Sequence, residues 1–118
     1  MTRDAAPAKL TPAMFHILLA LSDGARHGLG ILKEVEQSAD GGVKLGPGKL
    51  YWSINKLVEM GLVDESHNRP PPEDDDPRRR YYSMTEAGRG ALAAEAARLE
   101  RVVQQVKAKG ILDPGPSR

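Results

Sequence analysis

The sequence contains no cysteine, few aromatic residues and no long apolar run. Without cysteine, neither a disulfide framework nor a zinc–thiolate site can form. The opening segment, MTRDAAPAKL, lacks the apolar stretch of a secretion signal. No segment approaches the roughly 18 apolar residues that a membrane-spanning helix requires. We therefore expect a soluble, cytoplasmic protein without a membrane partner.

The net charge is also small, and the familiar catalytic motifs are absent. The 17 basic and 16 acidic residues leave a net charge of only +1, which by itself does not indicate a nucleic-acid-binding protein. The sequence has no HExxH motif, nucleophile elbow or P-loop, and its histidines (His16, His27 and His67) lie far apart. The sequence therefore predicts no enzymatic activity, no cofactor and no catalytic residue.

The sequence contains enough aliphatic residues for one domain, and they recur with helical periodicity. Hydrophobic residues make up 40% of the 118 positions, enough for one compact core. A first helix is predicted to start with Thr11 as its N-cap and Pro12 at its first position, and to end near Ser22. A second helix is predicted from about His27 to Ser38. Its inward-facing residues are predicted to be Leu29, Leu32 and Val35.

A third helix and a pair of strands complete the predicted domain. The helix is predicted to begin at Gly46-Pro47 and to end before Gly61, which stands where a left-handed cap residue belongs. Its inward-facing residues are predicted to be Leu50, Ile54, Leu57 and Val58. Two strands, Leu62 to Ser66 and Arg80 to Met84, are predicted around the loop HNRPPPEDDDPRR. This order is typical of a winged helix-turn-helix, so the expected fold is mainly α with a small β-wing.

The last predicted helix carries an apolar seam. Thr85 is expected to cap this helix, which reaches about Lys109. Its apolar residues recur in steps of four and three, like a heptad repeat. They are Leu92, Ala96, Leu99, Val103 and Val106. The seam can fold back on its own domain or pair with a second chain, and we favour a homodimer because the seam extends beyond what a three-helix core covers.

The chain is accordingly divided into four segments. Residues 1–9 are expected to be a disordered N-terminus, and residues 10–84 the DNA-binding winged helix-turn-helix domain. Residues 85–109 are the dimerisation helix, and residues 110–118 a flexible tail.

The third helix carries a local basic surface. From Gly41 to Val58 there are three lysines and no acidic residue. At 100° per residue, Trp52, Lys56 and Lys49 point away from the apolar face, with Asn55 and Glu59 beside them. Lysine contacts phosphates or guanine edges, and asparagine can pair with adenine. A solvated helix face is the alternative, and an outward tryptophan weighs against it. Trp52 can contact DNA or fold over the second helix, and the sequence leaves both open.

Further candidates flank this surface. Tyr51 can donate its hydroxyl to a phosphate, and backbone N–H groups near Gly48 are open at a helix N-terminus. The wing carries Arg69 and then Arg78, Arg79 and Arg80, and arginine is suited to a minor groove or to phosphates. The predicted DNA-binding residues are Lys44, Gly48, Lys49, Tyr51, Trp52, Asn55, Lys56, Arg78, Arg79 and Arg80.

An acidic run, Glu73 to Asp76, precedes the wing arginines. These acids can pair with the arginines when DNA is absent, or limit non-specific binding. A metal site formed by His67 and this run is a weaker alternative, because acidic runs in loops are usually solvated. We therefore predict no metal ligand.

Three segments together resemble the PadR family of bacterial transcriptional regulators: LTPAMFHILLALSDGARHGLGI, LGPGKLYWSINKLVEMGLV and RRRYYSMTEAGRGAL. The resemblance runs from about Leu10 to Lys109 and is greatest to the smaller subfamily, with one helix after the wing. It implies a winged helix-turn-helix domain with a C-terminal dimerisation region. It also implies repression as the default activity, relieved in many relatives by a small aromatic or drug-like molecule.

The resemblance also implies that five residues of the third helix lie on or beside the recognition surface, with the arginines around Arg78 in the wing. The five are Lys49, Tyr51, Trp52, Asn55 and Lys56. Two features depart from the family pattern. Trp52 stands where relatives commonly carry glycine or proline. The C-terminal region is shorter than the region that forms the ligand pocket of larger members.

The sequence thus predicts a sequence-specific regulator that represses by binding an inverted-repeat operator in double-stranded DNA as a homodimer, with a small aromatic effector as a further candidate partner. The alternative is a winged-helix protein-interaction module without DNA binding. Near-zero net charge and the acidic wing favour the alternative, and the local lysines oppose it. Retention on heparin at low salt separates the two, because an interaction module would flow through.

Overall fold

The computed structural model describes residues 9–38, 44–67, 70, 76 and 78–112. In these ranges the chain forms four helices and three short strands. They are α1 (Pro12–Ala20), β1 (Arg26–His27), α2 (Gly28–Ser38), α3 (Pro47–Glu59), β2 (Val63–Ser66), β3 (Tyr81–Met84) and α4 (Glu86–Ala108). The expected fold, mainly α with a small β-wing, is confirmed. The expectations for residues 1–8 and 113–118 lie outside the described residues.

The helix ends follow the local signals in the sequence. The Thr11 hydroxyl accepts a hydrogen bond from the Met14 N–H at 3.1 Å, and the Thr85 hydroxyl accepts one from the Gly88 N–H at 3.0 Å. Gly61 follows α3 with a φ of 76°, and the next N–H, of Leu62, donates to the Leu57 carbonyl at 2.9 Å. This is the Schellman arrangement that a glycine in the left-handed region allows. The predicted caps of α1, α3 and α4 are confirmed.

The sheet contains a strand that the sequence did not predict. Its order is β1-β3-β2, and both pairs of neighbours are antiparallel. His27, expected at the start of the second helix, instead lies in β1, where it pairs with Tyr81 while its neighbour Arg26 pairs with Tyr82. A strand of two residues has no periodicity of its own, so only its pairing reveals it. This third strand fastens the wing to the start of α2.

The core lies between α1, α2, α3 and the sheet. Its largest fully buried side chains include Ile17, Leu18, Ile31, Leu50, Ile54 and Leu57. The inward positions predicted for Leu29 and Val58 are wrong, since these side chains are 56% and 41% exposed. On α2 the buried face is instead formed by Gly28, Ile31 and Val35. Leu29 lies about 200° from Ile31 around the helix axis, on the opposite side.

The start of α4 is anchored to the domain. Thr85 donates its N–H to the Leu62 carbonyl at 3.0 Å and its hydroxyl to the Gly61 carbonyl at 2.7 Å. Gly88 is buried here, and only glycine fits, because a Cβ at this position would overlap the Leu62 carbonyl oxygen. Beyond the first turns α4 projects away from the core, and most of its residues are exposed. No helix in the described ranges combines the length and apolar character needed to cross a bilayer.

Candidate nucleic-acid interface

Helix α3 turns a polar and aromatic face to solvent. Its buried side is formed by Leu50, Ser53, Ile54 and Leu57. The predicted DNA-binding residues of this region, from Lys44 to Lys56, are all exposed. Those on α3 therefore spread over its solvent-facing half, which is the half that a helix-turn-helix protein presents to the major groove, and Lys44 precedes the helix.

Trp52 lies in the middle of this exposed face. Its side chain is 57% exposed, so α2 does not cover it. The Lys56 ammonium lies 5.9 Å from the centroid of the Trp52 ring, and 3.5 Å from a carboxylate oxygen of Glu59. The first contact is a cation–π interaction, worth about 0.5–1 kcal/mol at an exposed site. The Trp52 indole and the Lys56 ammonium group would therefore contact a bound ligand side by side.

Tyr51 connects α3 to the start of α2. A Cβ at Gly28 would overlap the Tyr51 hydroxyl and would lie 2.8 Å from its Cζ. The glycine thus lets the tyrosine ring lie directly over the α2 backbone. From the helical periodicity, Lys49 and Lys56 lie on the other flank of α3, roughly 150° from Tyr51. The exposed face accordingly has a lysine flank and a tyrosine flank.

A groove of about 490 Å³ continues from the tyrosine flank to the wing. It is lined by His27, Gly28, Leu29, Tyr51, Asp76, Arg78, Arg79, Arg80 and Tyr82. The structure therefore brings Tyr51 together with the three wing arginines, which lie far from it in sequence. The lysines do not line this groove.

Two titratable side chains in the groove have pKa values that are shifted from their ordinary values. Burial lowers the pKa of His27 below 6.5, and the nearby charges of Arg79 and Lys33 lower it further. Burial also raises the pKa of Tyr82 above 10.0. Near neutral pH, His27 is therefore predominantly uncharged, and the Tyr82 hydroxyl remains a hydrogen-bond donor.

The wing arginines differ in their partners. Arg78 donates from Nε and Nη2 to the two carboxylate oxygens of Asp76, at 3.2 and 3.1 Å. These hydrogen bonds hold the pKa of Asp76 at about 2. Arg80 is 4.0 Å from a Glu65 oxygen, whereas Arg79 forms no ion pair with any described residue.

The rest of the acidic run, residues 73–75, lies outside the described residues, as does Arg69. The metal alternative depends on that run. Within the described ranges, no three His, Asp or Glu side chains are grouped so that they could hold a metal ion.

The apolar seam of α4 divides into two parts. Leu92 packs against the core of its own domain. Leu99 and Val103, by contrast, are 38% and 39% exposed, and Val102, which the heptad pattern did not include, is 41% exposed. Ala96 is exposed and Val106 is half-buried. The unpartnered part of the seam therefore begins at Ala96 and is wider than predicted.

A second groove lies beside the seam, between the start of α1 and α4. Its volume is about 280 Å³. It is lined by Leu10, Thr11, Pro12, Phe15, His16, Glu95, Arg98 and Leu99. His16 Nδ1 is buried here without a hydrogen-bond partner among the described residues. Arg98 donates two hydrogen bonds to Glu95, at 2.9 and 2.6 Å.

Several interface residues escaped the sequence analysis. His27, Leu29 and Tyr82 line the wing groove, and Glu65 lies 4.0 Å from Arg80. Glu59 was placed beside Lys56 by the sequence, but its ion pair with Lys56 was not predicted. The His27 and Tyr82 positions follow from strand pairing, for which the sequence offers no local signal. The i,i+3 spacing of Lys56 and Glu59 could have indicated their ion pair.

Comparison with known proteins identifies relatives of the whole domain. Residues 17–94 match the model of the transcriptional regulator PadR-like family. The chain is also similar to an uncharacterized 37.1 kDa protein in transposon TN4556 of Streptomyces fradiae. The two are 34% identical over 105 residues, which cover 86% of this chain and 27% of that protein. This chain thus spans about a quarter of that relative's length.

Several solved structures share the fold. RosR of H. salinarum is 29% identical, with a TM-score of 0.59 over 86% of this chain and 94% of that one. Bordetella bronchiseptica BpsR, whose DNA binding is regulated by 6-hydroxynicotinic acid, is 26% identical, with a TM-score of 0.64 over 90% of this chain and 70% of that one.

A PadR family transcription regulator from Clostridium difficile R20291 has the same fold. Its TM-score is 0.69 at 18% identity, over 83% of this chain and 97% of that one. The family match covers residues 17–94, well over half of the chain, and it gives the chain its classification. The chain belongs to the transcriptional regulator PadR-like family.

Proposed function

We propose that this protein is a repressor that binds an inverted-repeat operator as a homodimer. The observation that carries the proposal is the continuous exposed surface formed by α3, the wing groove and the wing arginines. A helix in the major groove next to a wing over the flanking groove would use all of this surface. Occupying the operator would exclude the transcription machinery from the same DNA.

The residues of this surface are suited to different parts of DNA. Asn55 has the paired donor and acceptor that recognise adenine, while Lys49 and Lys56 can reach phosphates or guanine edges. The exposed Trp52 ring offers an apolar surface to thymine methyl groups or sugars. Tyr51 and the wing arginines would bind the backbone or an adjacent minor groove.

The exposed part of α4 supports the homodimer. Leu99, Val102 and Val103 form an apolar strip that nothing in the described chain covers. Pairing two such strips would remove them from water and would relate two α3 helices by a two-fold axis. Binding on one face of DNA then requires half-sites about 34–36 Å apart, which predicts an inverted repeat.

Fluorescence anisotropy of labelled DNA tests the proposal. One duplex is selected from a random-sequence library by the protein, and the other is a scrambled duplex of the same composition. We expect tight binding to the selected duplex, with a log affinity that falls by about 0.9 for each phosphate contact per tenfold rise in salt. No selection of any sequence, or equal affinity for the two duplexes, would contradict the proposal.

Charge-reversal substitutions test whether the exposed face of α3 contacts the DNA. Lys49→Glu and Lys56→Glu should each weaken binding by on the order of tenfold or more, because a phosphate contact becomes a repulsion. Arg101→Glu makes the same change on the face of α4 opposite the seam, and its affinity should stay close to that of the unmodified protein.

A protein-interaction module is the second candidate. The pairing of Arg78 with Asp76 and of Arg80 with Glu65 favours it, since these acids reduce the attraction of the wing for phosphates. Such a module would pass through heparin at low salt and would select no DNA. Retention on heparin, with elution at raised salt, supports the repressor instead.

A small aromatic effector fits the groove between α1 and α4. Its 280 Å³ suit a single-ring molecule, with Phe15 and Leu99 on its apolar side and Arg98 as a candidate partner for a carboxylate. The regulation of BpsR by 6-hydroxynicotinic acid supports an aromatic acid. Binding there would alter the angle between the two DNA-binding heads by a population shift.

Intrinsic fluorescence of Trp52, the single tryptophan of the chain, provides the test. We expect a saturable change on titration with 6-hydroxynicotinic acid or related aromatic acids, together with release of the selected duplex. The absence of saturable change with every compound would count against an effector.

A further inference from the structure

Three cations of the proposed DNA surface have a carboxylate beside them. The pairs are Arg78–Asp76 at 3.1 Å, Lys56–Glu59 at 3.5 Å and Arg80–Glu65 at 4.0 Å. The other cations of this surface, Lys44, Lys49 and Arg79, form no ion pair with any described residue. About half of the positive charge that faces DNA is thus offset locally.

These pairs contribute little to folding. The Arg78 side chain is 89% exposed and the Arg80 side chain 73% exposed. Exposed ion pairs contribute little to stability, because water and salt screen them. On a surface that binds DNA, their larger effect would be on the attraction for phosphates.

The Asp76 pair differs from the other two in geometry. Asp76 accepts hydrogen bonds from Nε and Nη2 of Arg78, and its Oδ1 also accepts one from the Arg78 backbone N–H at 3.0 Å. This fork fixes the plane of the guanidinium, which leaves the Nη1 edge available to a ligand. Glu59 and Glu65 each make one longer contact, which offsets charge without fixing a side chain.

We propose that Asp76 is a specificity-determining residue, which holds the Arg78 guanidinium in place for the operator and offsets its charge toward all other DNA. The inference rests on the proposed binding of an operator. Non-specific binding is almost entirely a Coulomb attraction to phosphates, so a neutral pair adds little to it. A guanidinium that is already ordered loses less conformational entropy when it docks into its place in the specific complex. Asp76 therefore lowers affinity for non-specific DNA more than affinity for the operator.

The experiment compares three single variants on the selected and the scrambled duplex over a range of salt. Asp76→Asn removes the charge but keeps an oxygen for the Arg78 backbone N–H, so that the local turn is retained. Glu65→Gln removes the charge of a carboxylate that does not position its partner. Glu36→Gln makes the same charge change in α2, where Glu36 is exposed and has no ion pair with any described residue.

For Asp76→Asn we expect roughly tenfold tighter binding to the scrambled duplex at 0.1 M salt, with a salt slope about 0.9 steeper, as if one phosphate contact were gained. The selected duplex gains less, so the preference for it falls roughly threefold or more. Glu65→Gln should strengthen binding to both duplexes by similar factors. Glu36→Gln should leave both affinities within about twofold of their original values.

Arg78→Lys provides an independent readout. Lysine keeps the charge but cannot form the fork, so the preference should fall while the affinity for scrambled DNA is retained. Equal strengthening of both duplexes by Asp76→Asn would overturn the inference and leave Asp76 as a counter-charge alone. An unmodified protein with no preference for any sequence would instead refute the proposed operator binding, which separates the two failures.

Discussion

Ser53 is buried at 1% exposure on the inner side of α3, and its hydroxyl has no hydrogen-bond partner among the described residues. A buried hydroxyl that has lost its water and gained no partner lowers stability. Serine also favours a helix less than alanine does. The residue therefore costs stability, and its side chain does not reach the proposed DNA-binding surface.

Replacing Ser53 with alanine should raise the free energy of unfolding by about 1 kcal/mol, since it removes the unsatisfied hydroxyl without adding volume. Thermal unfolding should show this as a melting temperature about 4–8 °C higher. Ser22→Ala is the control, because the Ser22 hydroxyl donates to the Leu19 carbonyl at 2.7 Å and its loss should bring no gain. A lower melting temperature for Ser53→Ala would mean that the hydroxyl is bonded after all.

The protonation of His27, which lines the wing groove, makes the stability of the fold depend on pH. The surroundings of His27 are Arg79 on the wing, Lys33 on α2 and the Tyr81 ring at 5.5 Å on β3. Because the pKa of His27 in the folded state lies below 6.5, the unfolded chain protonates this histidine at a higher pH than the folded chain does. The free energy of unfolding therefore falls as the pH drops through the window below 6.5.

The affinity for DNA should depend on pH in the opposite direction to the stability. A phosphate in the groove favours the imidazolium, so the complex takes up a proton and affinity for the selected duplex should rise as the pH falls from about 8 to about 5.5. Anisotropy titrations at several pH values would measure this. His27→Asn should flatten the dependence, whereas His16→Gln, in the groove beside α4, should retain it. An unchanged profile for His27→Asn would exclude His27 from the coupling.

At the scale of elements, the helices and the sheet differ in how far the sequence determines them. The caps at Thr11, Gly61 and Thr85 act within five residues, so their sequence signals were sufficient to place the helix ends. Strand β1 depends on β3, more than fifty positions away. Its pairing also decides where α2 begins and which face of α2 holds Leu29. No local pattern contains that information.

The junction between α4 and the wing depends on Gly88. In Gly88→Ala, the new Cβ would meet the backbone carbonyl of Leu62, which cannot move aside without disturbing β2. We expect a loss of about 1–3 kcal/mol in the free energy of unfolding, measured by urea denaturation.

Gly90→Ala is the matched control for this substitution. It lies on the same helix with open space around its Cβ position, and should stabilise by up to about 1 kcal/mol because alanine favours the helix. Equal effects of the two substitutions would show that α4 does not close tightly on the wing.

At the scale of the whole molecule, the projecting half of α4 is the feature that a single chain leaves incomplete. In Val103→Glu, a charge would enter the middle of the exposed seam and should prevent the pairing of two chains. The helix itself should persist, since the new glutamate lies four residues before Lys107, a stabilising spacing.

Sedimentation equilibrium should give a monomer for Val103→Glu and a dimer for Ala94→Glu, which introduces the same charge on the opposite face of α4. The monomer should bind a single half-site and lose the high affinity for the inverted repeat. A dimer that persists in Val103→Glu would refute the seam as the interface.

The sequence by itself was sufficient for the presence of the four helices, the caps of α1, α3 and α4, the two predicted wing strands and the family, because these depend on residues close together in the chain or on motifs in a recognisable order. The tertiary structure decided which side chains share the wing groove. It also decided that Leu29 is exposed, that Leu92 packs on its own domain, and that Glu65 lies beside Arg80. These features arise from strand pairing and helix packing between distant segments, whose geometry depends on the whole chain at once.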